Sequence, residues 1–289
     1  MIDPTLTGPL MEAAKEPLAN ITNPPTRSIG RFFGDTLDFW FSNRELKYAK
    51  KQIIDEVALR KFREECEAEF AKIPEEELVP PRKALLLPAL DAAEYYVEEE
   101  ELRGMFASLV AATFDARKAS KVHPSFAGII QELSPLDAGN LKHLFREGEA
   151  IRGDELEDNR NFFHYLRGAL PVADIEIRFE RGGYMSRANV ILWKKPEFTW
   201  ELDWHLYEIS VSVLLSLGLV KYSFESYYVP NWSGKGYEES FMAMFDKICP
   251  IKEKSPQITC ERKGFLSLTY SGYNFCEVCL SRSNKEAHP

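Results

Sequence analysis

The sequence predicts a mainly helical protein whose smaller C-terminal part also contains β-strands. Apolar residues recur with the 3.6-residue period of helices through most of residues 1–185. Two strand-like stretches then follow a helix predicted at 200–216. The chain has 289 residues, of which 45% are hydrophobic, so it is long enough for two modest domains with cores of their own. We expect an N-terminal segment at 1–27, a helical domain at 28–185 and an α+β domain at 186–289.

The net charge of −9 arises in the first part of the chain. Residues 1–185 carry 24 basic and 33 acidic side chains, whereas residues 186–289 carry 12 of each. Proteins that bind nucleic acids strongly are usually basic, because their affinity comes largely from contacts with phosphates. We therefore expect no strong binding to DNA or RNA.

Neither a transmembrane helix nor a secretory signal is predicted. No apolar run reaches about 18 residues, the length that favours a membrane-spanning helix. The N-terminus, Met1-Ile2-Asp3-Pro4, lacks the basic and apolar regions of a signal peptide. The five cysteines are an odd number, which argues against a disulfide framework. We expect a cytoplasmic protein.

The first predicted helix, over 28–41, is rich in aromatic residues, and its apolar side chains fall mostly on one face. The candidate interaction residues on this face are Phe32, Phe33, Trp40 and Phe41. Such a face can lie in a membrane interface, or it can pack on the next helix or on a second subunit. Asp35 and Asp38 favour packing, because carboxylates are repelled by anionic lipids.

The next predicted helix spans 44–72, with Asn43 as its N-cap. Its first turns contain the best candidate for a local basic contact face. The residues of this face are Arg44, Lys47, Lys50 and Lys51. The alternative interpretation is an ordinary solvated helix face.

Two further helices are predicted by their proline and acidic residues. Pro80-Pro81 precedes a helix over 82–97, which Pro88 is expected to kink. Four glutamates, at 98–101, begin the following helix. Their carboxylates suit the positive end of the helix dipole, which explains them better than paired general acids do.

The end of the helical part contains a turn, a helix start and a strand. Residues 122–126, Val-His-Pro-Ser-Phe, predict the turn. Ser134 as N-cap and Pro135 at the first helical position predict the helix start. Apolar residues alternate with charged ones over 175–180, which predicts the strand.

The C-terminal region has the element order of the back half of a winged-helix domain. The predicted elements are a helix at 200–216, a strand at 219–224, an insertion at about 225–258, a strand at 265–269 and a helix from Ser271. Gly218 suits the position after a helix C-terminus, and the two strands would form the wing. The first helix contains three acidic residues and no Lys or Arg. We therefore expect it to contact protein rather than DNA.

Catalytic candidates are weak. Arg117 and His123 are spaced as in small helical ribonucleases that use histidine in acid–base chemistry, but Pro124 disfavours a helix at His123. The alternating charges at 174–178 are similar to nuclease carboxylates that hold Mg²⁺, and they are also typical of a half-exposed strand. The motifs of phosphate loops, zinc proteases and serine hydrolases are missing.

Cys276 and Cys279 form a CxxC pair, which can hold zinc when a second pair is suitably spaced. Cys249 and Cys260 do not form such a pair, so structural thiols on a helix are the better interpretation. We expect no catalytic residue, no cofactor and no metal.

The most specific pattern is a set of strings spread over about 28–280. They comprise 74–81, 95–109, 122–126, 130–138, Leu-Gly-Leu-Val at 217–220, and Leu-Thr at 268–269 with Gly272, Phe275 and Cys279. This set resembles the abortive infection alpha family of bacterial proteins. Two features depart from it: the insertion at 225–258 is unusual, and Cys276 is a thiol that the family would not lead us to expect.

The resemblance implies anti-phage defence by arrest or death of the infected cell, and it supplies no catalytic residue. We therefore expect a non-enzymatic protein that acts through a protein partner or a phage component, with self-association and peripheral membrane contact as further expectations. One alternative is a membrane-perturbing toxin that uses residues 28–41. The other alternative is a winged-helix transcriptional regulator.

Overall fold

The computed structural model describes residues 26–49, 56–155, 169–178, 183–191, 200–224 and 257–280. The chain divides into two compact units. The first comprises Met1–Pro135 together with Glu277–Pro289, and the second comprises Leu136–Cys276.

The first unit is helical in its described part. Its helices are α1 (Thr26–Ala49), α2 (Glu56–Phe70), α3 (Lys83–Ala93), α4 (Glu100–Ala112), α5 (Ala116–Ala119) and α6 (Phe126–Glu132), with a 3₁₀ turn at Glu75–Glu77. Helix α4 is the central element, since ten of its thirteen residues are buried. Helices α2, α3 and α6 pack against it, and α1 packs against α2.

The second unit combines helices with a sheet. Its elements are α7 (Pro135–Glu155), β1 (Ala169–Arg178), β2 (Tyr184–Ile191), α8 (Trp200–Ser216), β3 (Val220–Ser223), β4 (Gln257–Leu268) and α9 (Tyr270–Cys279). Helix α7 begins at the last residue of the first unit, and α9 belongs to the second unit as far as Cys276. The four strands form an antiparallel sheet in the order β2-β1-β4-β3.

The sheet has a regular register apart from one bulge. Ile177 lies opposite Met185 of β2 on one side and Ile258 of β4 on the other. The register shifts between Ala173 and Ile175 on both sides of β1. A bulge of this kind re-aims the side chain between them, which is Asp174.

Several predicted elements are confirmed. Helix α8 has the predicted bounds, and α7 begins at Pro135 as its capping pattern indicates. Gly218 adopts φ +67°, the left-handed conformation expected after a helix C-terminus. The chain is helix-rich with a small sheet, so the mainly helical class is confirmed at that level.

One predicted helix start differs from the structure. The helix start at Asn43 is wrong, because α1 continues through that residue to Ala49. Strand β1 pairs with β2 and β4 within the second unit, and the domain bounds expected from the sequence stay a prediction. The winged-helix character of the C-terminal region stays a prediction.

Candidate functional site

Three of the four aromatic candidates on α1, Phe33, Trp40 and Phe41, lie in the core of the first unit. Phe33 is 5% exposed. Its ring stacks on Phe70 with centroids 3.9 Å apart and meets Phe114 edge-on at 5.2 Å. Phe32 is half-buried and lies 6.3 Å from the Phe114 ring. These two candidate residues therefore make contacts within the chain.

The other two aromatic candidates are buried further along the same helix. Trp40 and Phe41 are in the core, and their ring centroids lie 5.7 and 5.8 Å from that of Phe62 on α2. Packing on the next helix is thus what the structure shows for this aromatic face. In this conformation it is not an exposed surface for a membrane or a partner.

The predicted basic face falls largely outside the described residues. Arg44 and Lys47 lie on α1, where the structure describes the backbone but not these side chains. Lys50 and Lys51 lie outside the described residues. The basic contact face stays a prediction.

Arg117 and His123 have separate local partners. The carboxylate of Asp115 accepts hydrogen bonds from Arg117 at Nε (2.9 Å), at the second guanidinium nitrogen (2.7 Å) and at the backbone N–H (3.0 Å). Asp115 is thereby the N-cap of α5. His123 Nδ1 lies 2.7 Å from the Ser125 hydroxyl and accepts the Ser125 backbone N–H at 3.2 Å. The structure does not bring Arg117 and His123 together as an acid–base pair.

The carboxylates of β1 are also engaged. Asp174 accepts hydrogen bonds from Arg262 on β4 at 2.9 Å and from the backbone N–H of Asn189 at 2.8 Å. Asn189 has a left-handed backbone, with φ 55°, and its side chain accepts a further bond from Arg262 at 2.9 Å. Glu176 pairs with Arg178 at 2.6 Å. This network stabilises the bulged part of the sheet.

The CxxC pair is buried on α9. Cys276 and Cys279 form no disulfide and are 0% and 1% exposed, and burial raises the pKa of Cys279 well above its usual range. The thiolate that a metal requires is therefore disfavoured at Cys279. Across the part of the chain that the structure describes, no group of three or more His, Cys, Asp or Glu side chains is placed to hold a metal ion.

The first unit contains a cleft of about 410 Å³ that we call the polar cleft. Its floor is formed by Ser108, Ala111 and Ala112, which share one face of α4. Its rim includes the cations of Lys72, Arg117, Lys118 and Lys121. The polar cleft is therefore a concave site of the size that small ligands occupy.

Ion pairs hold the charged rim of the polar cleft. The Lys72 ammonium lies 2.6 Å from Glu69, and the Lys121 ammonium lies 2.7 Å from Glu277. The pKa of Asp115 is raised by burial and lowered by its hydrogen bonds from Arg117, and the net effect is a lowered pKa. The carboxylate is thus kept ionised and holds the guanidinium in place.

Sequence reasoning considered Arg117 only as a partner of His123 and missed the polar cleft. The sequence contained part of the signal for this cleft. A capping residue, Asp115, and three cations lie within 115–121. No recognisable sequence motif links the small floor residues of α4 to these cations, and Glu277 is 156 positions from Lys121. Only the packed helices bring these groups together.

Comparison with known proteins decides the family. A family model described as abortive infection alpha matches residues 54–279. The chain belongs to the abortive infection alpha family. No curated protein and no solved structure matches it.

This family assignment confirms the resemblance found in the sequence. In this abortive infection alpha protein, two of the strings that carry the resemblance contact each other. The Thr269 hydroxyl donates to the Gly218 carbonyl at 2.6 Å, and the Thr269 backbone N–H donates to the Leu219 carbonyl at 2.9 Å. The same hydroxyl accepts the Gly272 N–H at 2.9 Å, which caps the start of α9. These hydrogen bonds connect the turn that precedes β3 to the N-terminus of α9.

A second concave site in this abortive infection alpha protein lies beside α8. This groove of about 350 Å³ is lined by residues of α8, β2 and β3. Tyr222 is among them, and its pKa is raised by burial and by the nearby charge of Glu208. On the same helix, Leu206 and Ile209 are 52% and 60% exposed. Helix α8 therefore presents apolar side chains at the surface.

None of the helices described in this abortive infection alpha protein has both the length and the apolar character that crossing a bilayer requires.

Proposed function

We propose that this protein arrests or kills phage-infected cells through contacts with a protein partner, without catalysis of its own. The family match over residues 54–279 carries the defence role. The mode of action is inferred from the side chains described above.

Local contacts of the catalytic candidates support a non-enzymatic role. Arg117 is held by Asp115, and His123 is engaged with Ser125. Asp174 forms an ion pair with Arg262. A general acid or base needs a side chain that is positioned toward a substrate, whereas each of these residues is positioned toward its own neighbours.

The surface of α8 supports a protein partner. Leu206 and Ile209 lie one turn apart on α8 and are exposed. A DNA-reading helix instead presents basic and amide side chains to the groove. An exposed apolar pair on a helix is the type of surface that packs against another protein. We propose that a winged-helix-like region, built from α8, β3, β4 and α9, makes this contact.

A phage challenge with surface variants tests the proposal. Cells that express the wild-type gene should be protected at low multiplicity of infection and should collapse at high multiplicity. The double variant Leu206→Glu with Ile209→Glu should lose protection while the purified protein keeps its thermal stability. The control is Tyr95→Glu, which changes a residue that is 76% exposed in the first unit. Protection that survives the double variant would show that α8 is not the contact surface.

Three further measurements test the alternatives and the nature of the partner. His123→Ala should protect as well as wild type, and lost protection in a stable variant would favour the ribonuclease hypothesis. Binding of the purified protein to its own promoter DNA, weakened by salt, would favour a transcriptional regulator instead. Light scattering on the purified protein and on the α8 double variant tests whether the partner is a second copy of this chain.

A further inference from the structure

The polar cleft of the first unit combines a small apolar floor with a cationic rim. The alanines at 111 and 112 leave the space above α4 open, and Ile73 adds an apolar wall. The volume of about 410 Å³ exceeds what a bare inorganic anion would fill and falls in the range of small organic ligands.

One hydroxyl at the floor lacks a hydrogen-bond partner. Ser108 is 3% exposed, and its Oγ has no partner among the residues that the structure describes. Buried hydroxyl groups in folded proteins are nearly always hydrogen-bonded. A hydroxyl that lines a cleft and lacks a partner is therefore available to a polar group of a ligand.

The rim cations are positioned and still have donors to offer. Asp115 engages two of the three guanidinium nitrogens of Arg117, which leaves the third without a protein partner in the described structure. Lys121 uses one of its three N–H donors for Glu277. The two side chains are 48% and 41% exposed, so a solute can reach them. Carboxylate anchors of this kind orient a cation before the ligand arrives.

The charge balance of the polar cleft favours an anion. Its cations are Lys72, Arg117, Lys118 and Lys121, and its carboxylates are Glu69, Asp115 and Glu277. The lining thus has one excess positive charge in a chain whose net charge is −9. Guanidinium and ammonium donors that line one cleft match the several oxygens of a phosphate better than a single neutral acceptor.

We propose that the polar cleft binds a small organic phosphate. The phosphate group accepts hydrogen bonds from Arg117 and Lys121. The organic part lies over Ile73 and the two floor alanines, and one of its polar atoms bonds the Ser108 hydroxyl. This proposal concerns binding by the purified protein, so it can fail or succeed independently of the defence role proposed above.

Calorimetric titration of the full-length protein tests the proposal. The probes are adenosine 5′-monophosphate, glycerol 3-phosphate, inorganic phosphate and uncharged adenosine, all at matched ionic strength. At least one phosphate ester should bind with a dissociation constant below about 1 mM, and adenosine should not bind. Arg117→Gln and Lys121→Gln should each weaken that binding about tenfold or more, since each removes a charged hydrogen-bond donor. Ser108→Ala should weaken it by about threefold to tenfold.

The matched control is Arg60→Gln, which removes an exposed cation of α2 that is not part of the cleft lining. The Arg60→Gln variant should bind the phosphate ester with wild-type affinity. Thermal unfolding of each variant without ligand confirms that the fold is kept. The proposal is overturned if neither ester binds, if inorganic phosphate binds as tightly as the esters, or if folded Arg117 and Lys121 variants keep wild-type affinity.

Discussion

Gly272 lies directly against the carbonyl group of Leu219. A Cβ atom added at residue 272 would overlap the Leu219 oxygen and stand 2.7 Å from its carbonyl carbon. This close approach lets Thr269 bridge the Gly218 carbonyl and the start of α9 through one hydroxyl. Glycine is required here for space rather than for its backbone conformation, because residue 272 is helical.

Gly272→Ala should therefore destabilise the second unit by about 1–3 kcal/mol, the usual cost of overpacking. The overlapping atoms belong to the backbone, which cannot move aside as a side chain can. Gly139→Ala is the matched control, since Gly139 is also helical and has no atom within 4 Å of an added Cβ. That change should stabilise the protein by about 0.5–1 kcal/mol. Urea unfolding measures both, and equal effects of the two changes would contradict this account of Gly272.

The aromatic face of α1 should act on stability rather than on membrane binding. Phe33→Ala should cost about 3–5 kcal/mol, because it removes a buried ring that contacts Phe70 and Phe114. Phe39→Ala changes a ring of the same helix that is 47% exposed, and its effect should stay within about 0.5 kcal/mol. Chemical denaturation gives both values. Liposome flotation tests the toxin alternative. That alternative would be favoured if the wild-type protein bound vesicles and Phe33→Ala abolished this binding without loss of stability.

The pair of Arg103 and Glu65 should be important for joining α4 to α2. Arg103 is 5% exposed, donates to Glu65 at 2.9 Å and donates to the Val97 carbonyl at 2.9 Å. Arg103→Ala should therefore destabilise the protein by about 1.5–3 kcal/mol, because it leaves a carboxylate and a buried carbonyl without these bonds. Arg60→Ala removes only the exposed pair with Glu64, 3.9 Å apart on α2.

The Arg60→Ala control should cost no more than about 0.5 kcal/mol. A double-mutant cycle of Arg103 with Glu65 isolates the contribution of this pair. A coupling energy near zero would show that the Val97 carbonyl, and not Glu65, is the important partner.

The Asp115–Arg117 pair predicts a dependence of stability on pH. The pKa of Asp115 is lowered in the folded protein, whereas an aspartate of the unfolded chain titrates near pH 3.9. The stabilisation is therefore fully present above about pH 4 and is lost as the pH falls through the lower, folded-state pKa. Asp115→Asn keeps a capping oxygen but loses the charge. At pH 7 it should be less stable than wild type by about 0.5–1 kcal/mol.

Urea unfolding from pH 7 down to about pH 3 measures this difference, which should shrink as the pH falls through the range set by these two pKa values. Asp115→Ala, which also removes the cap, should cost about 1 kcal/mol more at every pH. A difference between wild type and Asp115→Asn that stays constant with pH would contradict the role of the charge.

Local signals in the sequence were sufficient for many helix and turn boundaries. Ser134 and Gly218 stand just outside the start of α7 and the end of α8, positions where capping preferences act through neighbouring backbone groups. The capping preference of Asn43 led to a wrong prediction of a helix start for the same reason. Its capping preference is local, while the packing of Trp40 and Phe41 on Phe62 favours a helix that continues past it. A contact with another helix overrode the local preference.

The sequence by itself determined the family, the helix-rich class and the order of α8, β3, β4 and α9, since these depend on residue type and short-range periodicity. Tertiary structure alone decided which side chains meet. It buried the aromatic face of α1, paired β1 with β4, and joined Ser108, Arg117 and Glu277 around one cleft. Such contacts link residues far apart in the chain, and no local pattern encodes them, because they arise when several faces are buried at once.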